Sequence, residues 1–245
     1  MRRGLKNLLV GLGLSAAVVS PHSALRAEPA EKAAKAEKKP AYTPEQAAEA
    51  EKLVAEGEAK FSQAQHDAAV VDFTKAIGLK PDHHPAYYRR GQVLVIQKQY
   101  KRASLDFSKA ASLAPDNPDY PLALGQALGA MGDTAGAIKS FDKALKIKPD
   151  LTAALLGRGG CFQSRREWDK AEADYTKALE QDGELAQAYA NRGLIRLSAG
   201  KADEAQSDFE EFYRRCSPEE KARFQTAIDD VKKRFPAARE KPKQK

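Results

Sequence analysis

The chain has 245 residues, 42% hydrophobic and 31% charged, with a formal net charge of +7. That is the composition of a soluble protein. Past the first 20 or so residues no apolar run reaches the ~20 residues with which a helix spans a bilayer, so no membrane-spanning helix is expected in the mature chain.

The N-terminus carries a positive start of Arg2, Arg3 and Lys6, then a 12-residue apolar run over residues 8–19, then Pro21 and the small residues Ala24 and Ala27. This pattern reads as a secretory signal peptide over residues 1–27, cut after Ala27. The competing reading is a short uncleaved anchor, against which the run is well below spanning length. The expectation is export, to a periplasm or to the outside, with no stable membrane insertion after cleavage. Removing the four basic residues of this segment leaves 37 basic against 34 acidic residues, a net charge of +3. So small an excess argues against a nucleic-acid partner.

Residues 28–43 form a solvated linker rich in Ala, Lys, Glu and Pro. Thr43, Pro44 and Gln46 then predict a helix start. Thr43 and Gln46 have the spacing of a capping box, and Pro44 suits the first turn. From here to residue 217 the chain repeats. Gly57, Gly91, Gly125, Gly159 and Gly193 recur every 34 residues, as do Ala69, Ala103, Ala137, Ala171 and Ala205. Phe73, Phe107, Phe141, Tyr175 and Phe209 hold an aromatic in the same frame, followed by Ala76, Ala110, Ala144 and Ala178. Pro81, Pro115 and Pro149 close the first three units, and Gly183 stands in the proline place of the fourth. Each unit reads as two short helices, because the apolar positions fall at spacings of three and four. Neither helix can bury its apolar face alone, so the units must stack. The boundaries expected are about 50–83, 84–117, 118–151, 152–185 and 186–217, within a repeat region of 44–216.

Beyond the repeats, Ser217, Pro218 and Glu220 make a second capping box. Phe224, Ala227, Ile228, Val231 and Phe235 then place one apolar stripe on a closing helix over 217–236. Residues 237–245 are a basic tail expected to be disordered.

Within the repeats, Arg90, Arg158 and Arg192 precede the marker glycine, and Asp106, Asp174 and Asp208 precede the aromatic of the same units. In the third unit both change together, to Leu124 and Ser140. The covariation predicts an Arg–Asp contact between the two helices of a unit. The first unit, with Glu56 and Asp72, lacks the pair.

A 34-residue period with Gly, Ala, aromatic, Ala and Pro in these slots resembles the tetratricopeptide repeat (TPR) family over five units. The resemblance implies an all-α fold: a right-handed TPR solenoid of antiparallel helix pairs with a C-terminal capping helix. It also implies a non-enzymatic scaffold or adaptor that binds a peptide or protein segment along a concave face lined by the first helices. Carried over by position, that face is Phe61 in the first unit and Tyr88, Arg89, Gln92 and Val95 in the second. The third contributes Leu122 and Gln126, the fourth Leu156, Gly157, Gly160 and Gln163, and the fifth Asn191 and Leu194. Tyr88 would stack on the ligand, Arg89 would hold an acidic or backbone oxygen, and Gln92, Gln126, Gln163 and Asn191 would bond a peptide backbone. Gly157 and Gly160 read either as a groove floor open to a bulky side chain or as a loosely held helix without a ligand. The Lys and Asn set with which chaperone-binding members grip a terminal carboxylate is missing.

No catalytic, cofactor or metal site is expected. His83 and His84 are adjacent in a turn, and no Cys, His or carboxylate cluster has ligand spacing. Cys161 reads as a small core residue and Cys216 as a free thiol, too far apart in the repeat frame to bridge. The alternative to a groove binder is a structural spacer, or a binder of anionic envelope surfaces through the linker and basic tail.

Overall fold

The structure is a computed structural model that describes residues 41–234. The expected signal peptide, most of the expected linker, Phe235 and the C-terminal basic residues 237–245 lie outside the described residues. Everything regular among the described residues is helix. In order these are α1 (Pro44–Ser62), α2 (His66–Leu79), α3 (His84–Ile96), α4 (Tyr100–Leu113), α5 (Asp119–Ala130) and α6 (Thr134–Ile147). They continue with α7 (Thr152–Ser164), α8 (Trp168–Gln181), α9 (Ala186–Ser198), α10 (Ala202–Arg215) and α11 (Pro218–Arg234). The ten helices α1–α10 form five antiparallel pairs, each even helix packs on the odd helix that follows it, and α11 lies against α9. The fold is an all-α TPR solenoid closed by a last helix.

The ends of the array are set by local chemistry. The backbone N–H of Gln46 donates to the Thr43 hydroxyl while the Gln46 side chain accepts from the Thr43 N–H, the reciprocal box expected at α1. Ser217 and Glu220 make the same exchange at α11. Helices α2, α4 and α6 stop two residues before Pro81, Pro115 and Pro149. Helix α8 stops at the same point before Gly183, so the boundary is kept where the proline is missing. The turn inside each pair has three residues, and its middle residue (Ala64, Lys98, Gly132, Arg166 and Gly200) is left-handed.

The pairs are held by rings seated on glycines. A Cβ placed on Gly57, Gly91, Gly125 or Gly193 would fall 2.6–2.7 Å from the ring of Phe73, Phe107, Phe141 or Phe209 in the partner helix. Gly159 faces the Tyr175 ring at 3.1 Å. The alanines one turn before these rings, Ala69 through Ala205, are fully buried. Gly157 belongs to the same packing. Its Cβ would lie 2.5 Å from the tip of Phe141, which is thus gripped between Gly125 of its own pair and Gly157 of the next. The bare backbone at 157 is filled by the core and not by a ligand, whereas Gly160 meets only the Tyr175 hydroxyl, at 3.7 Å.

The Arg–Asp contact forms wherever both residues are present. Arg90 Nε and Nη2 donate to the two oxygens of Asp106 at 2.8 and 2.7 Å, and Arg158 does the same to Asp174 at 2.8 and 2.6 Å. Arg192 holds Asp208 at 3.1 and 2.6 Å. All three carboxylates are buried. The remaining Nη1 reaches back to the even helix of the preceding pair, to Thr74 Oγ1 at 3.0 Å, Asp142 Oδ1 at 2.6 Å and Thr176 Oγ1 at 3.1 Å. Each arginine therefore ties three helices. In the first pair Lys60, one turn beyond Glu56, supplies the cation for Asp72. In the last, Arg196 Nη1 adds a second cation to Asp208 at 2.9 Å. In the third, the Ser140 hydroxyl donates to the Gly136 carbonyl in its own helix at 2.9 Å.

Two expected outcomes follow for thermal and denaturant unfolding. Gly160→Ala should stabilise by up to about 1 kcal/mol through helix propensity, while Gly157→Ala should destabilise by about 1–3 kcal/mol because its Cβ overpacks Phe141. Arg90→Met, which strands a buried Asp106, should cost about 3–5 kcal/mol. Arg192→Met should cost clearly less, because Arg196 remains on Asp208; equal losses would refute that backup.

Candidate functional site

Helix α1 packs on α3 and α5 on α7, so odd helices of successive pairs lie side by side, and the face expected to bind is carried on them. The positions carried over to that face divide into two kinds. Phe61, Val95, Leu122, Leu156 and Leu194 are half-buried and pack against the core clusters beneath them. Tyr88 is also half-buried: its ring lies 5.7 Å from Phe107 and 5.0 Å from Tyr120. Burial raises its phenol above the ordinary value. His84 completes this aromatic knot through a 2.7 Å hydrogen bond between its Nδ1 and the Tyr120 hydroxyl.

The polar positions engage one another across the helices. Arg89 Nε donates to Glu58 on α1 at 2.7 Å, and its Nη1 donates to the Gln92 amide oxygen at 3.1 Å. In the fourth and fifth pairs the Tyr175 hydroxyl donates to Gln163 Oε1 at 2.9 Å and accepts from Asn191 Nδ2 at 3.4 Å. Gln187 in turn donates to Asn191 Oδ1 at 3.1 Å. Between these two groups Gln126 is exposed and has no hydrogen-bond partner among the described residues. The structure thus joins Arg89 with Gln92, and Gln163 with Asn191. It seats Gly157 against Phe141, away from the position a groove floor would need.

A model of the tetratricopeptide repeat matches residues 54–118, 122–184 and 162–221. The chain belongs to the TPR family. None of the curated proteins compared with it matches. Among solved structures this TPR array is similar to MamA, at 22% identity and a TM-score of 0.63, covering 68% of this chain and 96% of that one. YrrB, described as a TPR protein with an unusual peptide-binding site, is 22% identical with a TM-score of 0.59, covering 76% and 88% of the two chains. Pseudomonas aeruginosa PilF is 14% identical with a TM-score of 0.65, covering 79% and 87%. At these identities the likeness is one of fold.

Three features of the TPR face are not legible in the sequence pattern used above. The period marks Tyr175 only as a packing aromatic, yet its hydroxyl bridges two groove amides. Gln187 sits one turn before Asn191, a spacing that could have flagged it. Glu58 pairs with Arg89 from the neighbouring unit, which no spacing within a unit reveals.

Burial pushes the Tyr175 phenol well above its ordinary value. A raised folded value means the native state keeps a proton that the unfolded chain releases, so stability falls as pH rises above about 10. Tyr175→Phe should flatten that alkaline slope. It should also cost about 1 kcal/mol at neutral pH, with amide shifts at Gln163 and Asn191 in NMR spectra. An unchanged slope would exclude Tyr175 as its source.

Proposed function

We propose that this TPR protein is an exported, non-enzymatic scaffold that binds an extended or helical segment of a protein partner along the inner face of its odd helices. The observation that carries the reading is the row of Arg89, Gln92, Gln126, Gln163 and Asn191. These are amides and a guanidinium on the odd helices: Arg89 donates to Gln92, Gln163 and Asn191 share the hydroxyl of the buried Tyr175, and Gln126 has no partner among the described residues. Arg89, Gln92 and Gln126 can take a peptide backbone at little net cost, because a bond broken at these half-exposed or exposed groups is replaced. Phe61, Val95, Leu122, Leu156 and Leu194 supply the half-buried apolar floor, with Gly160 as the open position where a side chain of the ligand approaches the helix. Tyr88 contributes the exposed edge of its ring; the rest is committed to Phe107 and Tyr120. The YrrB precedent of a peptide site on such an array supports the same use here.

The test is a cross-linking pull-down from an envelope fraction with the mature full chain, comparing wild type with Arg89→Ala combined with Gln126→Ala. Both side chains leave the core intact, so the variant should melt like wild type. A protein recovered by wild type alone is the expected result. Equal recovery by both would overturn the groove. Loss of recovery only on deleting 237–245 would favour the envelope-surface reading. Sequencing the N-terminus of the secreted form should show a start near Glu28.

A further inference from the structure

In four of the five pairs a cation on the odd helix binds the aspartate of the even helix, and in three of those it also fills the furrow between successive even helices. Between α4 and α6 that filler is gone. Leu124 replaces the arginine, Ser140 replaces the aspartate, and Ser108 stands where Thr74, Asp142 and Thr176 meet their arginines. The furrow is left as a cavity of about 710 Å³ with Pro121, Leu124 and Ile147 along its apolar floor. That volume lies within the usual range of ligand pockets. It opens away from the proposed peptide groove: Leu124 is two residues from Leu122, roughly 200° around the helix.

The rim has a definite chemistry. Lys143 and Lys146, three residues apart on α6, both line the cavity and are exposed. Neither has a carboxylate partner among the described residues. Asp142 beside them is already held by Arg158. The α4 wall offers the hydroxyls of Ser108 and Ser112, the latter already donating to the Lys109 carbonyl, and Asp116 in the turn after α4 is the one carboxylate in the lining. Leu105, one turn before Ser108, is 67% exposed and extends the apolar path along α4. An apolar trough edged by two free cations matches a segment that is itself apolar and anionic.

We propose that the α4–α6 furrow is a second docking site, independent of the inner groove, for an acidic peptide segment of a partner protein. An apolar side chain flanked by Asp or Glu enters over Leu124. The flanking carboxylates pair with Lys143 and Lys146, and the serine hydroxyls bond the peptide backbone. The chain's own ends have the wrong charge for this place. Residues 28–40 hold four lysines against three glutamates, and 237–245 hold four basic residues against one acidic.

The probe is the peptide fluorescein-Glu-Asp-Leu-Phe-Asp-Glu-amide, labelled on its N-terminal amine, with a control labelled the same way in which lysines replace the four acids. Binding to the mature full chain is read by anisotropy and mapped by NMR shifts. The acidic peptide should bind, shift the amides of Ser108, Ser112, Lys143 and Lys146, and weaken as salt rises. Lys143→Glu with Lys146→Glu should lower the affinity by about tenfold or more. Leu124→Arg with Ser140→Asp rebuilds the bridge present in the neighbouring pairs and should abolish binding with the melting temperature kept. The Arg89→Ala, Gln126→Ala variant should bind the probe like wild type, which separates this site from the inner groove. No binding by wild type, equal binding of the lysine control, an unchanged affinity in the charge-reversed variant, or shifts confined to the inner face would each overturn the proposal. Undiminished binding by the folded variant with the rebuilt bridge would overturn it as well.

Discussion

A ring lying on a glycine sets the geometry of every helix pair. The glycine and the aromatic are 16 residues apart in each unit, and once the ring takes the space of the missing Cβ, the helices have one distance and one register. Close packing of this kind tolerates almost no added volume. The residues that precede the two markers are then also brought face to face. That is why Arg90, Arg158 and Arg192 meet Asp106, Asp174 and Asp208 with two hydrogen bonds each. The ion pair is a neighbour of the interlock and inherits its precision.

The guanidinium has five donors in a rigid plane, and the clamp needs only two. The spare nitrogen reaches the preceding pair, so one side chain serves both the pair and the stack. A lysine could not do this with its compact ammonium. Lys60 accordingly appears in the first pair, where no earlier pair exists to be held. In the third pair the arginine and the aspartate are both absent. A buried carboxylate without a cation would be strongly destabilising, whereas replacing both partners by Leu124 and Ser140 leaves no uncompensated charge. The third pair thereby keeps its fold and leaves a furrow that no arginine crosses.

On the inner side the same architecture leaves a different surface. The core takes the leucines and rings at the base of each odd helix, and the residues one step further round present amides and a guanidinium. Their hydrogen bonds run between units, from Arg89 to Glu58 and through Tyr175 from Gln163 to Asn191. The two faces carry separate chemistries because a helix surface turns over within two residues.

Most of the fold was legible from the 34-residue period. Small, aromatic and helix-ending residues in fixed phase report local helix structure and contacts inside one unit, and those contacts repeat. The Arg–Asp pairing was readable for the same reason, since both partners lie within a unit and change together in the third. The site was less legible. Gly157 read equally as an open groove floor or as part of a loosely held helix, and the packed structure places Phe141 of the previous pair against it. The partners of Arg89, the third bond of each clamp and the role of the Tyr175 hydroxyl also depend on how one pair sits on the next. By itself the sequence determined the helix pairs, their caps and their order, because those follow from spacing and backbone chemistry within a unit. Only the tertiary structure decided which side chains meet between units, because the rotation from one pair to the next arises from packing of whole pairs and leaves no signal in the period.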